Sequence, residues 1–164
     1  MSQGATTYVQ GTDYSVIVVD TDTTVWADLD GQGDLDAEEP SDVVATGTLA
    51  LSPSSTAAAN VGNDTADTTA TVTVTNTTDP VPVVLVITDG TANGSFEACA
   101  NPDDNVASGT TSGGATNTLT VNLYACAGTT GDTFSVAAYH DLNANGQFDS
   151  GEPQIGMTQT FTIS

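Results

Sequence analysis

The sequence predicts an all-β protein in which two sheets pack face to face. Three observations carry this. Strong helix formers are scarce: Lys and Arg are absent, and the acid is mostly Asp rather than Glu. Thr and Val recur in short alternating runs, the pattern of half-buried strands. Clusters of Gly, Pro, Asn and Asp punctuate the chain between those runs.

Val16–Val19 and Thr24–Trp26 open the series of strands, and Val43–Leu51 alternates after them. Thr69–Thr75 reads Thr-Ala-Thr-Val-Thr-Val-Thr, apolar on one face and hydroxylated on the other. Val81–Thr88 is a continuous apolar run, which reads as a strand buried on both sides. Ser95–Cys99, Thr118–Tyr124, Thr133–Tyr139 and Met157–Ile163 complete the set. About nine short strands at this spacing describe an Ig-like or jelly-roll β-sandwich. Pro80, Pro82 and Pro102 mark strand ends or edges. Residues 53–67 and 101–116 are rich in Ser, Ala, Gly, Asn and Asp and read as long surface loops. The 164 residues suffice for one domain with a real core. Residues 13–164 are assigned to that sandwich. Residues 1–12 are read as an extended N-terminal strand that a neighbour can exchange, because Ala5–Gln10 is strand-like and flanked by Gly4 and Gly11.

Charge narrows the function classes. The chain has 21 Asp plus Glu, no Lys or Arg, and a formal net charge of −21. Nucleic-acid binding needs cations to neutralise phosphates, so it is excluded as a partner class. Anionic membrane surfaces repel such a chain, and no apolar run approaches the roughly 20 residues of a membrane helix. A compact body with this charge repels itself, and salt or divalent cations relieve the repulsion. The exterior of a cell supplies both; a soluble halophilic protein is the plainer alternative. Residues 1–20 lack a basic segment followed by an apolar one, so secretion is an inference and not a visible signal. Cys99 and Cys126 are read first as an extracellular disulfide, with two buried thiols as the alternative. Sequons at Asn63, Asn76 and Asn93 are compatible with surface glycosylation, or with chance in a chain rich in Asn and Thr.

An internal repeat carries the chemistry. Residues 26–40 (Trp-Ala-Asp-Leu-Asp-Gly-Gln-Gly-Asp-Leu-Asp-Ala-Glu-Glu-Pro) match residues 139–153 (Tyr-His-Asp-Leu-Asn-Ala-Asn-Gly-Gln-Phe-Asp-Ser-Gly-Glu-Pro) at a constant offset of 113. Each copy reads as strand, acidic loop, strand. Calcium takes roughly six to eight oxygen ligands, and a 12-residue loop supplies them from positions 1, 3, 5, 7, 9 and 12 around a Gly at position 6. In the first loop these are Asp28, Asp30, Gln32, Asp34 (by its backbone), Asp36 and Glu39, around Gly33. In the second they are Asp141, Asn143, Asn145, Gln147 (by its backbone), Asp149 and Glu152, around Gly146. Position 8 is apolar in both, Leu35 and Phe148, and is expected to pin the loop to a core. Ca2+ is therefore the expected cofactor. The first loop offers carboxylates from Asp28, Asp30, Asp36 and Glu39 and the second only from Asp141, Asp149 and Glu152, so the first is expected to bind more tightly. A third segment, Asp89–Glu97, looks like a degenerate loop without an acid at position 12, where Ala100 stands.

These loops resemble EF-hand calcium loops over about 12 residues each. The flanks differ: strand-like segments enter them, and Pro40 and Pro153 follow position 12, where an exiting helix needs a backbone N–H. The closer resemblance is to the EF-hand-like loops in secreted β-sandwich repeats, such as the B-type repeats of bacterial cell-wall adhesins. That resemblance implies loops that stiffen an extracellular sandwich. Gln32 departs from the usual shorter ligand at position 5.

His140 could serve as base or ligand, but its plainer reading is a surface residue beside the loop. Trp26 and Tyr139 stand at equivalent positions and are expected to pack above their loops, with sugar stacking as the other reading. A catalytic reading is poor: there is no Lys or Arg to stabilise an oxyanion and only one His. Paired carboxylates of the glycosidase kind stay open in a chain this acidic, but the acids that cluster are explained by calcium. The chain is therefore expected not to be an enzyme. The first expectation is a structural subunit of an extracellular filament, tube or surface layer, self-associating as a homopolymer by strand exchange. The chain resembles, in architecture alone, the donor-strand, calcium-dependent subunits of microbial extracellular fibres and cannulae. The alternative is a calcium-stabilised adhesin or carbohydrate-binding module, for which glycans are the partner.

Overall fold

Pro, Gly and Asn clusters break this chain into short strands, and the alternation of Thr with Val decides which face of each strand is buried. The computed structural model describes residues 15–19, 22–26, 41–99 and 104–164. It is all-β. Strands β1 (Ser15–Val19), β2 (Asp22–Trp26) and β3 (Ser41–Val43) form one antiparallel sheet in that order. The exchange strand expected within residues 1–12 lies outside the described residues.

Two larger sheets make the sandwich. The first contains β4 (Gly47–Ser52), β6 (Thr68–Val74), β10 (Asn117–Ala127) and β8 (Asn93–Ser95), side by side in that order. The second contains β5 (Ser55–Thr56), β12 (Gln159–Ile163), β11 (Thr133–His140), β7 (Pro82–Asp89) and β9 (Val106–Thr110). Neighbours in both sheets are antiparallel except β5 and β12. The chain passes from the first sheet to the second at the cis Ser52–Pro53 bond, between β4 and β5.

The core lies between the sheets. Ala70, Val72 and Val74 of β6 and Leu123 and Ala125 of β10 face Val83, Leu85, Val136, Ala138, Phe161 and Ile163 of the second sheet. Strand β6 shows strict alternation of buried and half-buried residues, as Thr-Ala-Thr-Val-Thr-Val requires. Strand β7 lies between β11 and β9, and Val84 is 0% exposed on the face opposite Val83 and Leu85, which accords with its continuous apolar run. Pro82 is its first residue, where a missing N–H does no harm. Phe134 and Phe161 are direct cross-strand partners, with ring centroids 5.1 Å apart.

The structure redraws several segments. The run Val43–Leu51 is not one strand. Val44 and Ala45 are buried between β3 and β4, and the Asn76 side chain bonds the Val44 carbonyl and the Thr46 N–H where a strand partner would stand. Strand β8 ends at Ser95, so Ser95–Cys99 is largely a turn. The loop expected over 101–116 contains β9, whose small residues give no hydrophobic signal. At Gly109 the reason is Leu119, which packs onto it: an added Cβ would come within 2.9 Å of the leucine Cδ1.

Cys99 and Cys126 form a disulfide, with a Cα–Cα distance of 5.1 Å and a sequence separation of 27. It joins the turn after β8 to the end of β10. Closing a loop of this length is worth roughly 3.5 kcal/mol by the chain-entropy estimate. Replacing both cysteines by Ala is expected to lower unfolding free energy in urea by about that amount. Phe134→Ala is expected to cost about 3–5 kcal/mol by the same titration, because it empties the centre of the core.

Candidate metal centre

The second acidic loop begins where β11 ends. Alternation along β11 points Phe134, Val136, Ala138 and His140 inward, so Asp141 enters the loop from a buried strand end. The Asp141 N–H donates to the Pro82 carbonyl, and the His140 N–H to that of Pro153. His140 is 3% exposed, not a surface residue, and its Nδ1 accepts the Ala45 N–H at 3.1 Å. Parity along β11 could have predicted this, because His140 shares the face of Ala138. The buried imidazole links the loop's base to the segment between β3 and β4.

The loop is organised by its own side chains. Asp141, 3% exposed, accepts the N–H groups of Asn145 (3.1 Å) and Gly146 (2.7 Å). Asn143 Oδ1 accepts the Asn145 N–H at 3.0 Å, and Asn145 Oδ1 the Gln147 N–H at 2.7 Å. Asp149 Oδ2 accepts from both Asn143 Nδ2 and Asn145 Nδ2, each at 2.8 Å. Glu152 Oε2 accepts the Asp149 N–H at 3.2 Å, and the Glu152 N–H donates to the Asp149 carbonyl at 3.2 Å. Gly146 has φ +74°, which a Cβ would strain, and Ala144 shares the left-handed region at φ 53°. The structure thus brings five of the six expected donor residues, Asp141, Asn143, Asn145, Asp149 and Glu152, into one hydrogen-bonded turn. Gln147 joins through its N–H.

Glu152 is the informative member. It is 6% exposed, and its Oε1 is buried without a hydrogen-bond partner. Burial, with Asp141 and Asp149 nearby, pushes its pKa from 4.5 to about 7, against the pull of the Asp149 and Leu142 N–H groups. A buried carboxylate facing two others needs a cation or a proton. Among the described residues no three His, Cys, Asp or Glu side chains converge at metal-binding distance. Here Asp149 is instead held by two amide NH2 groups. Turning those amides over would present oxygens in their place, at the cost of the Asn145 and Gln147 N–H bonds that their Oδ1 atoms now accept. The donor set is oxygen alone, with carboxylates at positions 1, 9 and 12, which fits a hard cation such as calcium and not zinc or copper.

Phe148 does not pin the loop to the core. It is 43% exposed and packs instead against Tyr139, the rings tilted by 43° with centroids 4.4 Å apart. The loop's other anchor is β9: at Gly146, an added Cβ would stand 3.0 Å from Ser108 Oγ.

The first-loop residues Asp28, Asp30, Gln32, Asp34, Asp36 and Glu39 lie outside the described residues, but the backbone pair that closes the loop does not. Trp26 pairs with Ser41, and Tyr139 forms a bridge with Gln154. These pairs are related by the same offset of 113, so the repeat extends from sequence to strand pairing. The third segment repeats one element only. Asp89 Oδ1 accepts the Gly94 N–H at 2.9 Å, the bond Asp141 makes to Gly146, while Asn105 Nδ2 reaches its other oxygen at 3.3 Å. Asp89 is thereby satisfied as a turn. No protein-family model matches the chain, and no curated protein matches its sequence.

Glu152→Gln separates the two burdens on this carboxyl. Folded Glu152 holds its proton more tightly than unfolded Glu152, so its contribution to the metal-free fold is full below about pH 4.5 and is lost as pH rises through about 7. In chelator the variant is expected to melt above wild type at pH 8, with the gap closing toward pH 4.5. In calorimetric titration it is expected to bind calcium roughly tenfold or more weakly.

Proposed function

We propose that this chain is a non-enzymatic, calcium-stabilised building block of an extracellular filament, tube or surface layer. The observation that carries the reading is the Asp141–Glu152 turn: it holds the expected donor residues in one hydrogen-bonded loop and leaves a buried carboxylate oxygen with no partner. Asp141, Asn143, Asn145, Asp149, Glu152 and the Gln147 backbone would hold the ion. The matched closing pair at Trp26 and Ser41 supports the same role for Asp28, Asp30, Gln32, Asp34, Asp36 and Glu39. Bound calcium would neutralise the carboxylates and lock the loop against Ser108 and Pro82, making the β7–β9 corner rigid. At extracellular-module affinities of roughly 10⁻⁴ to 10⁻³ M, each site would add little equilibrium stability. Its larger effect is removal of local repulsion.

The disulfide supports an oxidising compartment. The strand order supports the Ig-like plan over the jelly roll: a β4-β6-β10-β8 sheet faces one centred on β12, β11 and β7. Such a sandwich suits a stiff module. The exposed Phe148 on Tyr139 is the one feature that favours the glycan-binding alternative.

Electron microscopy in excess calcium and in chelator tests the main reading. Ordered filaments, tubes or sheets are expected in calcium and not in chelator. Monomers in both, together with binding on a glycan array that Phe148→Ala abolishes, would replace it with the adhesin reading.

A further inference from the structure

Strand β10 has two edges, and among the described residues only one is fully paired. From Asn117 to Leu123 it pairs with β6. On the other side β8 covers only Tyr124 to Ala127. The direction of each backbone group follows from its partners. The Leu123 carbonyl accepts the Asp67 N–H, on the β6 side. Thr118 faces the opposite way, its carbonyl accepting the Ser112 N–H and its N–H donating to Ser112 Oγ. In a strand this direction alternates, so Thr120 and Asn122 also point away from β6. Among the described residues nothing takes up their N–H and C=O groups.

The side chains describe the same opening. Leu119 and Val121 face the core, opposite Val72 and Ala70, both 0% exposed. Yet Leu119 and Val121 are themselves only half-buried, and among the described residues no strand lies beside them. Two edge strands of the sandwich, β4 and β9, are approached by loops. Gly156 lies against the backbone of β4, where an added Cβ would be 2.9 Å from the Leu49 nitrogen. The acidic loop lies against β9 at Ser108. The β10 edge has no Pro, bulge or charge between Thr118 and Asn122, the devices that normally keep a free edge from pairing.

We propose that the Thr118–Asn122 edge of β10 is the acceptor for residues Ala5–Gln10 of a second copy of this chain. The inference rests on the assembly reading and names the surface it uses. Charge selects the occupant. In a chain with 21 acids, residues 1–12 hold none, and neither does the Asn117–Ala127 strand. A segment bearing Asp or Glu would bring more negative charge to an already anionic body. Length fits as well. The open stretch between paired Thr118 and paired Tyr124 needs about five or six residues of added strand, and Gly4 and Gly11 bound a six-residue segment. Its alternation sets Thr6, Tyr8 and Gln10 against Ala5, Thr7 and Val9, so one face can extend the hydroxylated outer surface while the other covers Leu119 and Val121.

The test uses the full chain in calcium, with assembly followed by light scattering and microscopy. Thr120→Pro/Asn122→Pro removes two N–H donors that β6 does not use, so the β6 ladder stays whole. The assembled fraction is expected to fall roughly tenfold or more, as losing two backbone hydrogen bonds implies, while the melting curve stays close to wild type. A synthetic peptide of residues 4–11, added to wild type, is expected to block growth, and it decides the matter if the double variant does not fold. Wild-type-like assembly by a folded double variant, or by wild type in excess peptide, overturns the acceptor edge while leaving the building-block reading intact. Failure of wild type itself to assemble overturns the building-block reading and, with it, this one.

Discussion

Every carboxylate in this chain has to be held without Lys or Arg. With 21 acids and a single histidine, ion pairing cannot organise the fold, and the work passes to backbone and hydroxyl donors. Asp67 takes the Ala125 N–H and the Thr56 hydroxyl, tying the chain before β6 to β10. Asp132 takes the Thr129 N–H and hydroxyl, which hold its carboxyl below the usual range and shape the turn into β11. Asp89 and Asp141 each take the N–H of a glycine five residues on. The abundance of Thr has a second meaning in this light: it supplies hydroxyl donors as well as β-branched strand residues.

The same constraint separates the two kinds of acidic turn. Where donors suffice, as at Asp132, the turn is complete in itself. In the second loop they do not, because three carboxylates share the donors and one buried oxygen is left over. That imbalance, and not the count of acids, distinguishes a candidate cation site from a solvated acidic surface. It also explains the loop's position at the end of a central strand, where the base is buried and the tip reaches solvent.

Much of the sandwich was legible because strand alternation is a local property. Thr69–Thr75 and Val81–Thr88 carried their burial pattern openly, and their structured counterparts β6 and β7 differ by a residue at each end. Strand β9 was illegible because its character is set by a neighbour: Gly109 is there for Leu119, which lies across the sandwich. The break at Val44–Thr46 depends on Asn76 and His140, both distant in sequence. The second loop's donor set was readable from spacing alone. The exposure of Phe148 and the contact of Gly146 with β9 were not, since they depend on Tyr139 and Ser108. The half-open edge of β10 could be found only from the pairing of its two sides.

The parallel contact between β5 and β12 has a mechanical consequence. Thr162 and Ser164 donate to Ser54 and Thr56, and Ala58 donates to Ser164. These bonds lie across two strands that run in the same direction. A pull that draws β5 backward and β12 forward along their axes loads all of them together, in shear, instead of opening them one at a time like a zip. The short β5 is therefore placed as a catch, its bonds to β12 sharing a load along the strands.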